Sequence, residues 1–152
     1  MSKRNPRYPG PPPFSDDPLA RKLFFGRKSE SVALANKIRA NRLVLLFGRS
    51  GLGKTSLINA GVAERLREEG HIPLLVRFND PNVEPLQWIY PRVEAECRRQ
   101  GVEYVKGVGA SLWHFFKTAE FWRADRLLTP VLVLDQVEEI FTLQGEGARA
   151  DF

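Results

Sequence analysis

The apolar residues of this chain come in two arrangements, short unbroken runs and longer stretches with helical spacing, and the two alternate. That alternation predicts strands of a mainly parallel sheet joined by helices. Leu43-Val44-Leu45-Leu46-Phe47 reads as a first buried strand, residues 72–78 as a second, and Val131-Leu132-Val133-Leu134 as a third that ends on Asp135. Before the first run, Leu23-Phe24-Phe25 closes on Gly26. Ser29 is then placed to cap a helix carrying Val32, Ala35 and Ile38, and Asn41 is placed to stop it. Residues 56–69 set Leu57, Ile58, Gly61, Val62 and Leu66 on one helical face and Glu64, Arg67 and Glu68 on the other, with Gly70 as terminator. Residues 84–100 repeat the pattern with Leu86, Ile89, Val93 and Cys97, and Pro91 inside it predicts a kink or a fresh start.

A loop is expected over residues 101–109, followed by an amphipathic helix through Leu112, Phe115, Phe116, Ala119 and Trp122, whose aromatic density reads as core. Val137, Ile140, Phe141 and Leu143 continue the third strand as a helical face. At the other end, Pro6, Pro9, Pro11, Pro12, Pro13 and Pro18 exclude helix and central strand from residues 1–18. The chain therefore divides into an extended proline-rich arm, residues 1–22, which is either pinned to the surface through Tyr8 and Phe14 or a disordered tail, and one α/β domain over residues 23–152.

The turn between the first strand and its helix carries the chemistry. Gly48-Arg49-Ser50-Gly51-Leu52-Gly53-Lys54-Thr55-Ser56 fits G-x-x-x-x-G-K-[ST], with strand and helix on the required sides. Glycines let the backbone come close to an anion, and successive N–H groups and the helix dipole converge on it. Lys54 is placed to reach the β- and γ-phosphates of a nucleotide, and the Thr55 hydroxyl to ligate Mg²⁺. A carboxylate at the end of a downstream strand is the second part that a metal-dependent phosphate site needs, and Asp135 meets it. Glu138 and Glu139 follow within one turn, so one of them can orient the attacking water.

Composition narrows the remaining classes. At 152 residues, 43% hydrophobic and 27% charged, the chain suits one domain with a real core. Its net charge of +5 and pI of about 9.7 allow an acidic partner such as nucleic acid, although an arginine-rich surface meets the same numbers. A lone cysteine, Cys97, excludes an internal disulfide and points to a reducing cytoplasm. No apolar stretch follows the basic residues near Met1, and nowhere do eighteen apolar residues run together, so neither export nor membrane spanning is expected. Gly107-Val108-Gly109 lacks the third glycine and preceding strand of a dinucleotide fingerprint and reads as a loop and helix cap. His71 and His114 read as structural. Asn36-Lys37 is followed by Arg39 where a guanine-reading aspartate would stand, so GTP specificity has no support.

With these residues in view, the chain resembles the nucleotide-binding domain of STAND-class P-loop ATPases, specifically the bacterial group called novel STAND. The likeness runs from about Tyr8 to Phe141. It rests on Tyr8-Pro9-Gly10 with Pro13-Phe14, on Phe24-Phe25-Gly26-Arg27-Lys28-Ser29-Glu30, on the Walker A segment through Ala60-Gly61, and on a Walker B segment Val133-Leu134-Asp135-Gln136-Val137-Glu138-Glu139-Ile140-Phe141. It implies a three-layer α/β/α sandwich that binds ATP and Mg²⁺, with Phe25, Gly26 and Arg27 bordering the adenine. It also implies an ATP-dependent switch that oligomerises on sensing a signal, several such proteins acting in bacterial regulation or defence against phage. Many related ATPases place the catalytic glutamate directly after the Walker B aspartate. Gln136 stands there in this chain, which moves the base role to Glu138 or Glu139.

The resemblance further implies sheet order 5-1-4-3-2 and, downstream, two more strands, a helical lid, a winged-helix domain and a repeat-type sensor. The sequence ends at Phe152, so the expected fold is the N-terminal part of such a domain, with weak or no turnover by itself. Lacking a fourth strand, the first and third would either leave a gap one strand wide, exposing unpaired backbone edges and apolar side chains, or close together and displace Asp135 from Thr55. Two alternatives stand beside the switch module: a nucleotide- or protein-binding module without turnover, and a DNA-associated initiator-type ATPase resting on charge alone.

Overall fold

Asp17 caps the first helix, its carboxylate accepting the N–H groups of Leu19 and Ala20, at 3.0 and 2.9 Å, which a helix start leaves without partners. The computed structural model describes residues 12–77, 85–109 and 111–136. The chain divides into two compact units, Met1–Leu66 and Arg67–Phe152.

The first unit is helical. Helix α1 spans Pro18–Leu23 and starts inside the expected arm, since a proline at the first helical position gives up only an N–H that would be idle there. Helix α2 spans Lys28–Ala40, one turn-fraction earlier than a Ser29 cap would give. A further helical run is made of α3, Lys54–Ser56, a π-helical stretch, Leu57–Val62, and α4, Ala63–Glu68. The π turn replaces the regular α-helix expected there. It contains Gly61, a weak helix former whose missing side chain permits close packing: a Cβ on Gly61 would fall 2.3 Å from Ser31 Oγ and 3.2 Å from Phe24 Cε1. Leu34, Ala35, Leu57, Ala60, Val62, Ala63 and Leu66 are the buried apolar residues of this unit.

Residues 43–47 depart from expectation. They are not a strand: Leu43 is 78% and Phe47 91% exposed, and no strand among the described residues pairs with them. Apolar and β-branched residues make a strand only when a neighbouring strand takes up their backbone groups.

The second unit is built on that parallel pair. Strand β1, His71–Arg77, runs beside the later β5, Thr129–Asp135, in register from His71 opposite Thr129 to Arg77 opposite Asp135. Helix α5, Pro85–Gln100, continues through Pro91 without the expected break. Its buried Ile89, Val93 and Cys97 pack with Ile72, Leu74 and Val76 of β1. Arg67 Nε donates to Gln100 Oε1 at 2.8 Å, and Gln100 Nε2 donates to Pro73 O at 2.7 Å, tying the helix end to the strand.

Between α5 and β5 the sequence reading missed a small antiparallel sheet. It consists of β2, Glu103–Val105, β3, Glu120–Arg123, and β4, Arg126–Leu127, in the order β2-β3-β4. Helix α6 is only Leu112–Thr118, capped by Ser111, so Trp122 lies on β3 and not on the helix. Positions 115, 119 and 122 satisfy helical spacing, but Phe121 satisfies strand alternation as well, and the partner strand decides: Phe121 faces Tyr104 of β2 with ring centroids 5.4 Å apart. Phe115 and Phe121 are fully buried and join the sheet to the core of the unit.

Ala124 and Asp125 form the two-residue turn between β3 and β4, and Ala124 has φ +50°, a left-handed conformation that its Cβ opposes. Relief of that strain exceeds the extra unfolded-state entropy of glycine by about 0.5 kcal/mol. Ala124→Gly is therefore expected to stabilise the protein by that amount, read as a raised urea midpoint; a lowered midpoint would contradict the assigned strain.

Burial pushes the Cys97 thiol up to about 11 from 9.0, with Glu96 adding to the effect, and burial likewise pushes the Tyr104 hydroxyl up to about 12 from 10.0. Both groups hold their protons more tightly folded than unfolded. Their contribution to stability is full below pH 9 and is lost as pH climbs through 11 and then 12. Denaturant midpoints measured from pH 8 to 11 are expected to fall above pH 9, and Cys97→Ala to flatten the first part of that decline.

Candidate functional site

In the first unit the loop from Gly48 to Gly53 is turned by two left-handed glycines, Gly51 at φ +84° and Gly53 at φ +74°. Any other residue would be strained at either place. Leu52 N donates to Arg49 O at 3.4 Å across the tip, and Leu57 N donates to Gly53 O at 2.8 Å where the helical run begins. Lys54 folds back over the loop, its Nζ donating to Gly48 O at 2.9 Å and Arg49 O at 3.3 Å. Those carbonyls hold the ammonium group at the loop by charge-assisted bonds. Arg49, Ser50, Gly51 and Leu52 are exposed, while Gly53, Lys54 and Thr55 are half-buried.

Ser56 is buried and has another partner. Its Oγ accepts the Phe14 N–H at 3.1 Å, and Asn59 Nδ2 donates to Phe14 O at 3.1 Å, so both backbone groups of Phe14 are held by one helical turn. The Phe14 ring meets Phe24 edge to face with centroids 5.5 Å apart. Phe14 thus anchors the arm as its sequence position suggested; Tyr8 lies outside the described residues.

The segment before α2 also reaches the loop. Arg27 Nη1 donates to Leu52 O at 2.8 Å, Arg27 Nε donates to Glu30 Oε1 at 3.3 Å, and the Ser31 hydroxyl donates to Arg27 O at 2.7 Å. The Glu30 carboxyl is held below its usual range by its own backbone N–H, then by the Ser29 hydroxyl and Arg27. Gly26 turns the chain at φ +79°, and Phe25 is 79% exposed. An open depression beside them is lined by Gly26, Lys28, Ser29, Val32, Ala33 and Asn36. The sequence reading named Arg27 but gave no role to Glu30 or Ser31. Ser31 was findable only through Gly61, a glycine in mid-helix that marks a close approach.

In the second unit Asp135 is the last residue of β5, half-buried and in register with Arg77, the last residue of β1. The strand ends there because Gln136 takes φ +60°, unusual for a side-chain-bearing residue, and its Oε1 accepts a hydrogen bond from Arg77 Nε. Arg77 had not been singled out, although its place at the end of a strand next to Asp135 is the signal that would have found it. Glu138 and Glu139 lie outside the described residues. Among the described residues no three His, Cys, Asp or Glu side chains cluster. Mg²⁺ does not call for such a cluster, since it keeps waters and phosphate oxygens and takes one or two protein oxygens. The hydroxyl of Thr55 and the carboxylate of Asp135 are donors of that hard kind.

Gly107 and Gly109 belong to no nucleotide fingerprint: a Cβ on Gly107 would sit 2.1 Å from Phe115 O, and Ser111 accepts the His114 N–H as the cap of α6. Among the described residues no helix is long and apolar enough to cross a membrane.

No curated protein and no solved structure matches the chain. The family model described as Novel STAND NTPase 1 matches residues 8–152, a span that takes in residues 8–22 of the arm, the glycine-turned loop and the strand ending on Asp135. The chain belongs to the Novel STAND NTPase 1 family.

Proposed function

We propose that this chain is the ATP- and Mg²⁺-binding module of a STAND-type switch, in which nucleotide binding and slow hydrolysis drive a change of conformation or assembly. The observation that carries the reading is the loop at Gly48 to Lys54, where two left-handed glycines and a folded-back lysine stand at the start of a helical run. Backbone N–H groups and the Lys54 ammonium bind the triphosphate, with Arg49, Ser50, Gly51, Leu52, Gly53, Thr55 and Ser56 shaping the cradle. The open depression lined by Gly26 is where the base would lie, with Phe25 beside it. Thr55 and Asp135 would hold Mg²⁺, which neutralises charge on the phosphates. Glu138, or Glu139 beside it, orients the water. On this reading the fold is the N-terminal part of an α/β/α sandwich, with residues 1–22 as an arm and 23–152 as the nucleotide-binding domain in a cytoplasmic protein.

Lys54→Ala is expected to weaken a fluorescent ATP analogue by about tenfold or more, the scale of one charged hydrogen-bonding partner, at fixed salt and with an unchanged fold. Equal affinity in wild type and variant would remove the assignment.

Asp135→Asn is expected to weaken binding only in the presence of Mg²⁺. Glu138→Gln is expected to spare binding and abolish whatever phosphate release the wild type shows. Loss of turnover in Glu139→Gln with Glu138→Gln unaffected would transfer the base role. The carboxamide at Gln136, where related ATPases carry a carboxylate, supports a second reading in which nucleotide is held without turnover. Absence of phosphate release from a wild type that binds ATP selects it.

A further inference from the structure

We infer that Arg27 is a positioning residue for the phosphate loop: its guanidinium fixes the Leu52–Gly53 peptide so that the Gly53 N–H is turned toward the bound phosphates. This rests on the nucleotide reading above and deepens it. In a trans peptide the carbonyl and the N–H point to opposite sides of the chain. Arg27 Nη1 holds the Leu52 carbonyl at 2.8 Å on its own side, so the N–H of the same peptide, which belongs to Gly53, faces away from Arg27. That N–H makes no backbone hydrogen bond among the described residues. A free donor next to Lys54 is what an incoming anion requires.

The loop cannot hold this orientation by itself. Gly51 and Gly53 both sit in the left-handed region, and glycine has the widest choice of conformations, so the peptide between Leu52 and Gly53 can turn over at small cost. With the plane reversed, a carbonyl oxygen would face the phosphates in place of an N–H. Arg27 opposes that reversal by an ionic hydrogen bond, and the guanidinium is itself aimed from two sides. Glu30 Oε1 accepts from its Nε at 3.3 Å, and the Arg27 carbonyl is pinned by the Ser31 hydroxyl at 2.7 Å. Ser31 is buried against Gly61, where there is no room for a Cβ, so the base of the arginine is fixed by packing. A Cβ on Gly53 would stand 3.5 Å from Arg27 Nη1, which places the guanidinium directly along the glycine. Arg27 thus acts on the phosphate end of the ligand, through the loop, and not on the adenine.

The test compares ATP with inorganic tripolyphosphate, which has the phosphates and no base, as competitors of a fluorescent ATP analogue bound to the full chain. Arg27→Ala is expected to weaken both by the same factor, about tenfold, with the melting temperature unchanged. Arg27→Lys keeps the charge but loses the planar fork, and recovers only part of that factor for both probes. It also serves should Arg27→Ala fail to fold. Glu30→Gln is expected to give a smaller loss, again equal for the two. Weakened ATP with unchanged tripolyphosphate would put Arg27 on the adenosine and overturn the inference, as would unchanged binding of both. A wild type that binds neither probe would overturn the nucleotide reading itself and this inference with it.

Discussion

A loop that is to receive a polyanion must keep N–H groups unpaired, and unpaired donors do nothing to hold a chain in place. Everything that fixes residues 48–56 therefore has to come from carbonyls, side chains and the helix that follows. Lys54 gathers the carbonyls of Gly48 and Arg49, Arg27 takes that of Leu52, and Gly53 O accepts the N–H of Leu57. Four of the loop's carbonyls are engaged, while among its N–H groups that of Leu52 is paired and that of Gly53 makes no backbone bond among the described residues. An anion site requires engaged carbonyls and spare N–H groups, and Lys54 and Arg27 are the cations that hold those carbonyls here.

The second unit answers a different requirement, a carboxylate held at a defined point. Pairing of β1 with β5 over seven positions each, with Ile72, Leu74 and Val76 buried under α5, gives Asp135 a rigid base. The left-handed Gln136 then breaks the strand immediately after it. Arg77 contributes at the same edge by donating to the Gln136 side chain, which gives the turned residue a local anchor. The span matched by the family model covers the loop and this strand end alike.

Where local pattern decides structure, it was legible. The spacing of Ile89, Val93 and Cys97, the run from Val131 to Asp135 and the glycines at 51 and 53 each led to the observed element, because period and backbone permission are properties of a few neighbouring residues. Partner choice was not legible. The run Leu43 to Phe47 has the composition of a buried strand but no ladder, whereas Glu103–Val105 and Arg126–Leu127 are too short to be distinguished until β3 pairs with them. For the candidate residues, the places of Lys54 on the glycine-turned loop and of Asp135 at a strand end were readable from motif and pattern. Arg77 and Ser31 were not, because their parts depend on neighbours distant in sequence, Gln136 and Gly61.

The grip on Phe14 has a consequence for how the arm joins the rest of its unit. Its N–H and C=O are taken by Ser56 and Asn59, three residues apart on one helix, while Asp17 three residues further on is committed to capping α1. The stretch from 14 to 17 is therefore a tether of set length, clamped at both ends, and not a slack connector. Adding or deleting one residue within it would force a choice between the clasp and the cap, so its length is constrained as strictly as that of a tight turn. Ser56 is also the second residue after Lys54, so a twist of the first helical turn would be felt at the arm as a pull on a taut line.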